Sequence, residues 1–151
     1  MKTGPPAPPR ILLVDDNHFG LTARKMILED AGYGVETALS GEDAWELIQK
    51  IQFDVVVTDL RMGTMDGVQL IALIRRSGSL ARIILLSGFV GCLGMTPEST
   101  GADEVLAKSN TEVQELLRAL RKLTNQPTPR RPPPSRLCRT VLSRLHLTAA
   151  C

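Results

Sequence analysis

Short apolar runs alternate with amphipathic stretches along this chain. Arg10–Val14, Val35–Ala38, Phe53–Thr58, Ile83–Leu86 and Val105–Ala107 are each only a few residues long and dominated by aliphatic side chains. That length and composition predict strands rather than helices. Val55-Val56-Val57 is a near-continuous β-branched run, as expected of a strand covered on both faces. Between the runs the spacing turns helical. Asn17 is placed to cap a helix reaching about Ala31, with Leu21, Met26, Ile27 and Leu28 as its apolar positions. Ser40 begins another through about Lys50, with Asp43 at the reciprocal capping position. Asp66–Arg76 carries Val68, Leu70, Ile71 and Ile74. Ser109 followed by Glu112 predicts a capping box ahead of the stripe Val113, Leu116, Leu117, Leu120 and Leu123. One place breaks the rhythm: Gly91, Gly94 and Pro97 make residues 90–100 poor helix material, so the fourth helix is expected to be short or irregular. Strands alternating with helices predict an α/β fold, a five-stranded parallel sheet with helices on both faces.

Composition changes this picture only at the ends. The chain has 151 residues, 43% hydrophobic and 23% charged, enough for one domain with an aliphatic core and some excess. Residues 1–9 hold four prolines and read as an extended lead-in. Residues 10–124 contain every predicted element. Residues 125–135 form a proline-rich linker, and residues 136–151 a basic tail, disordered or a short helix. The formal charge of +2 hides an asymmetry, since all 16 acidic residues lie before residue 125 while five arginines and no acid follow it. In the tail, Leu137, Val141, Leu142 and Leu145 recur at helical spacing among the arginines. A basic amphipathic helix that docks on lipid, nucleic acid or the acidic domain is one reading, and a disordered tail the blander one. Cys92, Cys138 and Cys151 form no paired spacing, so neither a disulfide framework nor a zinc site is signalled. No signal-peptide core or membrane-length apolar run is present, and a cytoplasmic location is expected.

The chemistry sits at the strand ends. Asp15-Asp16, Asp59, Ser87 and Lys108 each close a different apolar strand. A parallel sheet brings all of them to one edge, where ligands of open α/β sheets bind. An isolated Asp after a strand is ordinarily a turn cap, and Asp66 and His18 are read that way, as a cap and a surface residue. The convergence of three carboxylates is different. They cannot all stay ionised without a counter-charge, and an oxygen-seeking Mg²⁺ fits one or two direct carboxylates. A hydroxyl at Ser87 and an ammonium at Lys108 then suit the oxygens of a phosphoryl group, with Asp59 as nucleophile.

In these motifs the chain resembles the receiver domain of two-component response regulators. The matching pieces are Leu13-Val14-Asp15-Asp16-Asn17, Thr58-Asp59-Leu60-Arg61-Met62 with Met65-Asp66-Gly67, Leu86-Ser87-Gly88, and Gly101-Ala102-Asp103-Glu104 with Lys108. The resemblance implies the flavodoxin-like strand order 2-1-3-4-5. It implies that Asp59 accepts phosphate from a sensor histidine kinase or phosphotransfer protein. It implies that Asp15, Asp16, Asp59 and the backbone carbonyl of Arg61 hold Mg²⁺. Ser87 and Lys108 would engage the phosphoryl oxygens, with Arg61 and Phe89 beside them. The resemblance departs at Val105, where the family usually has an aromatic residue, at Ser109, where proline usually follows the lysine, and at Gly63 in the loop after Asp59.

The expectation is a stand-alone receiver, no enzyme beyond its own phosphotransfer and hydrolysis, signalling to an unknown downstream protein. The 27 residues after the last helix are too few for a DNA-binding domain, and homodimerisation stays open. The alternative is a phosphorylation-independent interaction module on the same fold.

Overall fold

The structure, a computed structural model, describes residues 7–88 and 94–125. The chain runs β1 (Arg10–Val14), α1 (His18–Asp30), β2 (Gly34–Ala38), α2 (Gly41–Lys50), β3 (Val55–Asp59), α3 (Gly67–Arg76), β4 (Arg82–Ser87), α4 (Pro97–Thr100), β5 (Glu104–Ala107) and α5 (Glu112–Asn125). The strands form one five-stranded sheet in the order β2-β1-β3-β4-β5, and every neighbouring pair is parallel.

Side-chain alternation along the strands divides the core in two. Leu12, Val14, Val56, Ile83 and Leu85 pack under α2 and α3, with Ala44, Leu70, Ile71 and Ile74. Ile11, Leu13, Val55, Val57, Ile84 and Leu86 face α1 and α5, meeting Leu21, Leu28, Leu116, Leu120 and Leu123. This is why the strand sequences are continuously apolar instead of alternating. Each fully buried Leu or Ile contributes roughly 1.5–3 kcal/mol by leaving water. Trp45 is half-buried against the first cluster, and His18 is exposed.

The helix starts follow the residues available to cap them. Asn17 accepts from the N–H groups of Phe19 and Gly20, and Ser40 from that of Asp43. Asp66 and Gln69 form a reciprocal capping box. Three expectations are corrected. Met26 on α1 is 64% exposed and Ile27 is 38% exposed, so Leu21 and Leu28 alone carry that helix's buried seam. The last helix starts at Glu112, not at a Ser109 cap, and Ser109 instead closes a tight turn by accepting from Thr111 N–H. Glu112 turns its carboxylate to Arg24, which offers a stronger, charged donor than a backbone amide. That helix also extends through Asn125, the first residue assigned to the linker.

The weak fourth helix is a single turn, Pro97–Thr100, with a Thr96–Ser99 capping box before it and Gly101 in the left-handed conformation after it. Phe89, Cys92, most of the proline-rich lead-in, the rest of the linker and the basic tail lie outside the described residues. Among the described residues no helix is long and apolar enough to cross a membrane.

Candidate functional site

Register places the candidate residues before any side chain is considered. Val14 pairs with Thr58, so Asp15 and Asp59 come level just beyond. Asp59 pairs with Leu86 and Ser87 with Ala107, so Ser87 and then Lys108 step around the same edge. Val57, two residues before Asp59, faces the α1/α5 side, and strand alternation sends Asp59 to that side too.

The side chains complete the cluster. One ligand oxygen from each of Asp15, Asp16 and Asp59 lies within 4.8 Å of the others. Asp15 is 3% and Asp59 9% exposed, while Asp16 is open to solvent. Lys108 Nζ sits 3.0 Å from Asp59 Oδ1 and 3.5 Å from Asp15 Oδ2. Ser87 is buried at the end of β4, and its carbonyl accepts from Lys108 N–H at 3.1 Å. Arg61 stands exposed two residues past Asp59, in the loop that leaves the site. Gly63 in that loop has φ +70°, a conformation closed to proline. The loop therefore takes a path that the residue usual in the family could not follow.

The two buried carboxylates are tuned in opposite directions. Burial raises the pKa of Asp59, and the Asp15 charge raises it further. Lys108 pulls it back without cancelling the rise. Burial pushes Asp15 up as well, but the Asn17 N–H, Lys108 and Arg24 together outweigh it and hold its carboxyl below the usual range.

Three oxygen donors this close, with one of them open to solvent, suit a hard cation that keeps part of its water shell. The donor set therefore fits Mg²⁺ and gives no support to a soft metal.

The backbone at the site is tightly drawn. Gly67 N–H donates to Leu60 O at 2.7 Å, and a Cβ at Gly67 would lie 2.4 Å from the Asp59 carbonyl oxygen. Glycine is thus required for α3 to start against the end of β3. The sequence reading included Gly67 in a motif without seeing this reason. It gave Arg24 no role and read Glu112 only as a helix cap, although Arg24 Nη1 reaches Asp15 Oδ2 at 3.0 Å and its Nη2 reaches Glu112 at 2.6 Å. Helical spacing on α1 carries no signal for a residue that reaches back to the end of β1 and across to the start of α5.

The family model for the response regulator receiver domain matches residues 11–121. This chain belongs to the response regulator receiver family. As a receiver it is 32% identical to a gliding motility regulatory protein of Myxococcus xanthus, over 76% of this chain and 15% of that protein. It is 33% identical to the alginate biosynthesis transcriptional regulatory protein AlgB of Pseudomonas aeruginosa, over 76% of this chain and 26% of that one. The chain thus spans about a quarter or less of these curated relatives. Among solved structures, TrrA of Thermotoga maritima in complex with Mg²⁺–BeF superposes with a TM-score of 0.68 at 32% identity, covering 76% of this chain and 98% of that one. The chemotaxis regulator CheY4 of Vibrio cholerae gives 0.67 at 29%, covering 77% and 98%. Both have the fold described above, so the receiver fold expected from the motifs is the one observed.

Proposed function

We propose that this receiver takes a phosphoryl group on Asp59 from a histidine kinase or phosphotransfer protein, in a Mg²⁺-dependent reaction in the cytoplasm. It then signals to a downstream protein through its surface. The observation that carries this reading is the convergence of the Asp15, Asp16 and Asp59 oxygens within 4.8 Å, with Lys108 on Asp59.

In this reading an Asp59 carboxylate oxygen attacks phosphorus. The bond to the donor's leaving group breaks, and for a phosphohistidine the imidazole nitrogen departs with the electron pair. Asp15, Asp16, Asp59 and the Arg61 carbonyl would hold Mg²⁺, whose charge offsets that of the carboxylates and the phosphoryl oxygens. Lys108 already stands beside Asp59 and follows the added phosphoryl charge. Ser87, one residue beyond the register partner of Asp59, donates a hydroxyl to a phosphoryl oxygen. The donor has a surface to meet: Phe19 is 85% and Met26 64% exposed on α1, whose cap Asn17 follows Asp16 directly. Such exposed apolar residues suit a protein partner.

A second reading, a phosphorylation-independent interaction module, draws on Val105. It is half-buried and packed against the core beneath α2 and α3, with no aromatic ring there to change position. The test is phosphate incorporation from a small phosphodonor with and without Mg²⁺. The receiver reading expects Mg²⁺-dependent labelling of the wild type and none of Asp59→Asn. Equal labelling of the two contradicts it.

A further inference from the structure

Among the described residues, Arg24 is the half-buried cation at this site that the phosphotransfer scheme leaves without a task. Its side chain is 13% exposed, and the guanidinium is fixed from two directions. Nη1 donates to Asp15 Oδ2 at 3.0 Å. Nε and Nη2 both reach Glu112 Oε1, at 2.7 Å and 2.6 Å. A planar fork held between two carboxylates has little freedom to leave either one.

Asp15 already serves three donors. Its Oδ1 accepts from Asn17 N–H at 3.0 Å, while Oδ2 serves Arg24 at 3.0 Å and Lys108 at 3.5 Å. A divalent cation arriving at this carboxylate meets two positive side chains already drawn to its Oδ2. Lys108 has reason to be there, because it also pairs with Asp59. Arg24 pairs instead with Asp15 and with Glu112, the latter on α5.

We infer that Arg24, held in place by Glu112, sets the divalent-cation affinity of the pocket by competing for Asp15. This rests on the reading of Asp15, Asp16 and Asp59 as the Mg²⁺ site. A cation that binds must either displace the guanidinium from Oδ2 or sit against its charge, and both oppose binding. Glu112 moderates the competition. Its carboxylate neutralises Arg24 and gives the guanidinium a partner to keep when Asp15 is withdrawn. Arg24 is therefore a positioning residue for Asp15, acting on the cation through it.

Arg24 could instead be only a structural tie between α1 and α5, and the two roles predict different things. A tie lowers stability when either member is lost and leaves cation affinity alone. Competition moves the affinity, and in opposite directions for the two members. Mg²⁺ binding to the full chain is measured by titration calorimetry, with thermal melts alongside, for wild type, Arg24→Gln, Arg24→Lys and Glu112→Gln. Arg24→Gln is expected to tighten Mg²⁺ binding roughly fivefold or more, since a full charge near the ligand oxygen is removed. Arg24→Lys keeps the charge and is expected to stay closer to wild type. Glu112→Gln is expected to weaken binding, because an unneutralised Arg24 then commits to Asp15.

Unchanged or weaker binding in Arg24→Gln overturns the inference. So does equal or tighter binding in Glu112→Gln, which decides alone if Arg24→Gln does not fold. Wild-type protein that binds no Mg²⁺ overturns the metal reading and this inference with it. Wild-type binding that Arg24→Gln leaves unaltered overturns this inference only.

Discussion

Asp59 and Asp15 share one pocket, and their neighbours determine how each carries its charge. Asp59 is buried beside Asp15 and has only a share of Lys108 to offset it, while Asp15 also has Arg24. Its raised pKa means the folded protein resists ionising it. That cost is absent at pH values below the ordinary carboxylate range near 4, where both folded and unfolded chains are protonated. It develops as pH rises through the raised folded value and is complete above it. Asp59→Asn is therefore expected to melt higher than wild type at neutral pH without divalent cations, with the gain fading as pH falls toward 4. Asp15 has the opposite sign. Its lowered pKa contributes stability above the ordinary range, lost as pH falls through the folded value. Melting curves of both proteins across pH check the prediction, and an Asp59→Asn that melts lower at neutral pH contradicts it. The strand-end residues were legible because each acid or base closes an apolar run in one line of sequence. Arg24 and Glu112 were not. They lie 88 positions apart, and nothing local distinguishes Arg24 from a solvated helix arginine.

At the scale of elements, the site depends on how closely α3 begins against β3. Gly67 has no room for a side chain, with Leu85 Cδ1 at 3.0 Å from an ideal Cβ and the Asp59 carbonyl oxygen closer still. Gly67→Ala is expected to cost roughly 1–3 kcal/mol of stability by overpacking. It should also lower phosphate uptake by shifting the Asp59 backbone. Denaturant melts and phosphodonor labelling measure the two effects, and an Ala variant as stable and as reactive as wild type contradicts the close approach. Element types were readable because the strands are short and unbroken and the helices long and striped. Element edges were less so. The Ser109–Glu112 spacing matched a capping box, yet Glu112 found a charged partner on α1 and the helix began later. Met26 matched an inward position by residue type, but α1 buries only a narrow seam at Leu21 and Leu28.

For the whole molecule, the two faces of the sheet divide the work. The α2/α3 face packs one of the two apolar clusters. The α1/α5 face pairs an apolar interior with the charged edge formed by Asp15, Asp59, Lys108, Arg24 and Glu112. Both apolar clusters are built from residues between Ile11 and Leu123. A chain ending at Asn125 is therefore expected to melt cooperatively, close to the full-length protein, and to keep its Mg²⁺-dependent labelling. Loss of either would show that residues 126–151 belong to the fold or to the site. The fold class could be read early because parallel strands buried on both faces leave a strong imprint on sequence. The irregular fourth helix could be anticipated only as an absence of pattern, and the structure fills it with a single turn.

The central claim is that Asp59 itself carries the phosphoryl group, and mapping the modified residue tests it most directly. Protein treated with a small phosphodonor and Mg²⁺ is reduced with borohydride, which converts an acyl phosphate to an alcohol, and its peptides are then sequenced by mass spectrometry. Homoserine in place of Asp59, and at no other acidic residue, is the predicted result. Reduction at Asp15 or Asp16 instead, or a phosphate stable to borohydride on a hydroxyl such as Ser87, would contradict the account.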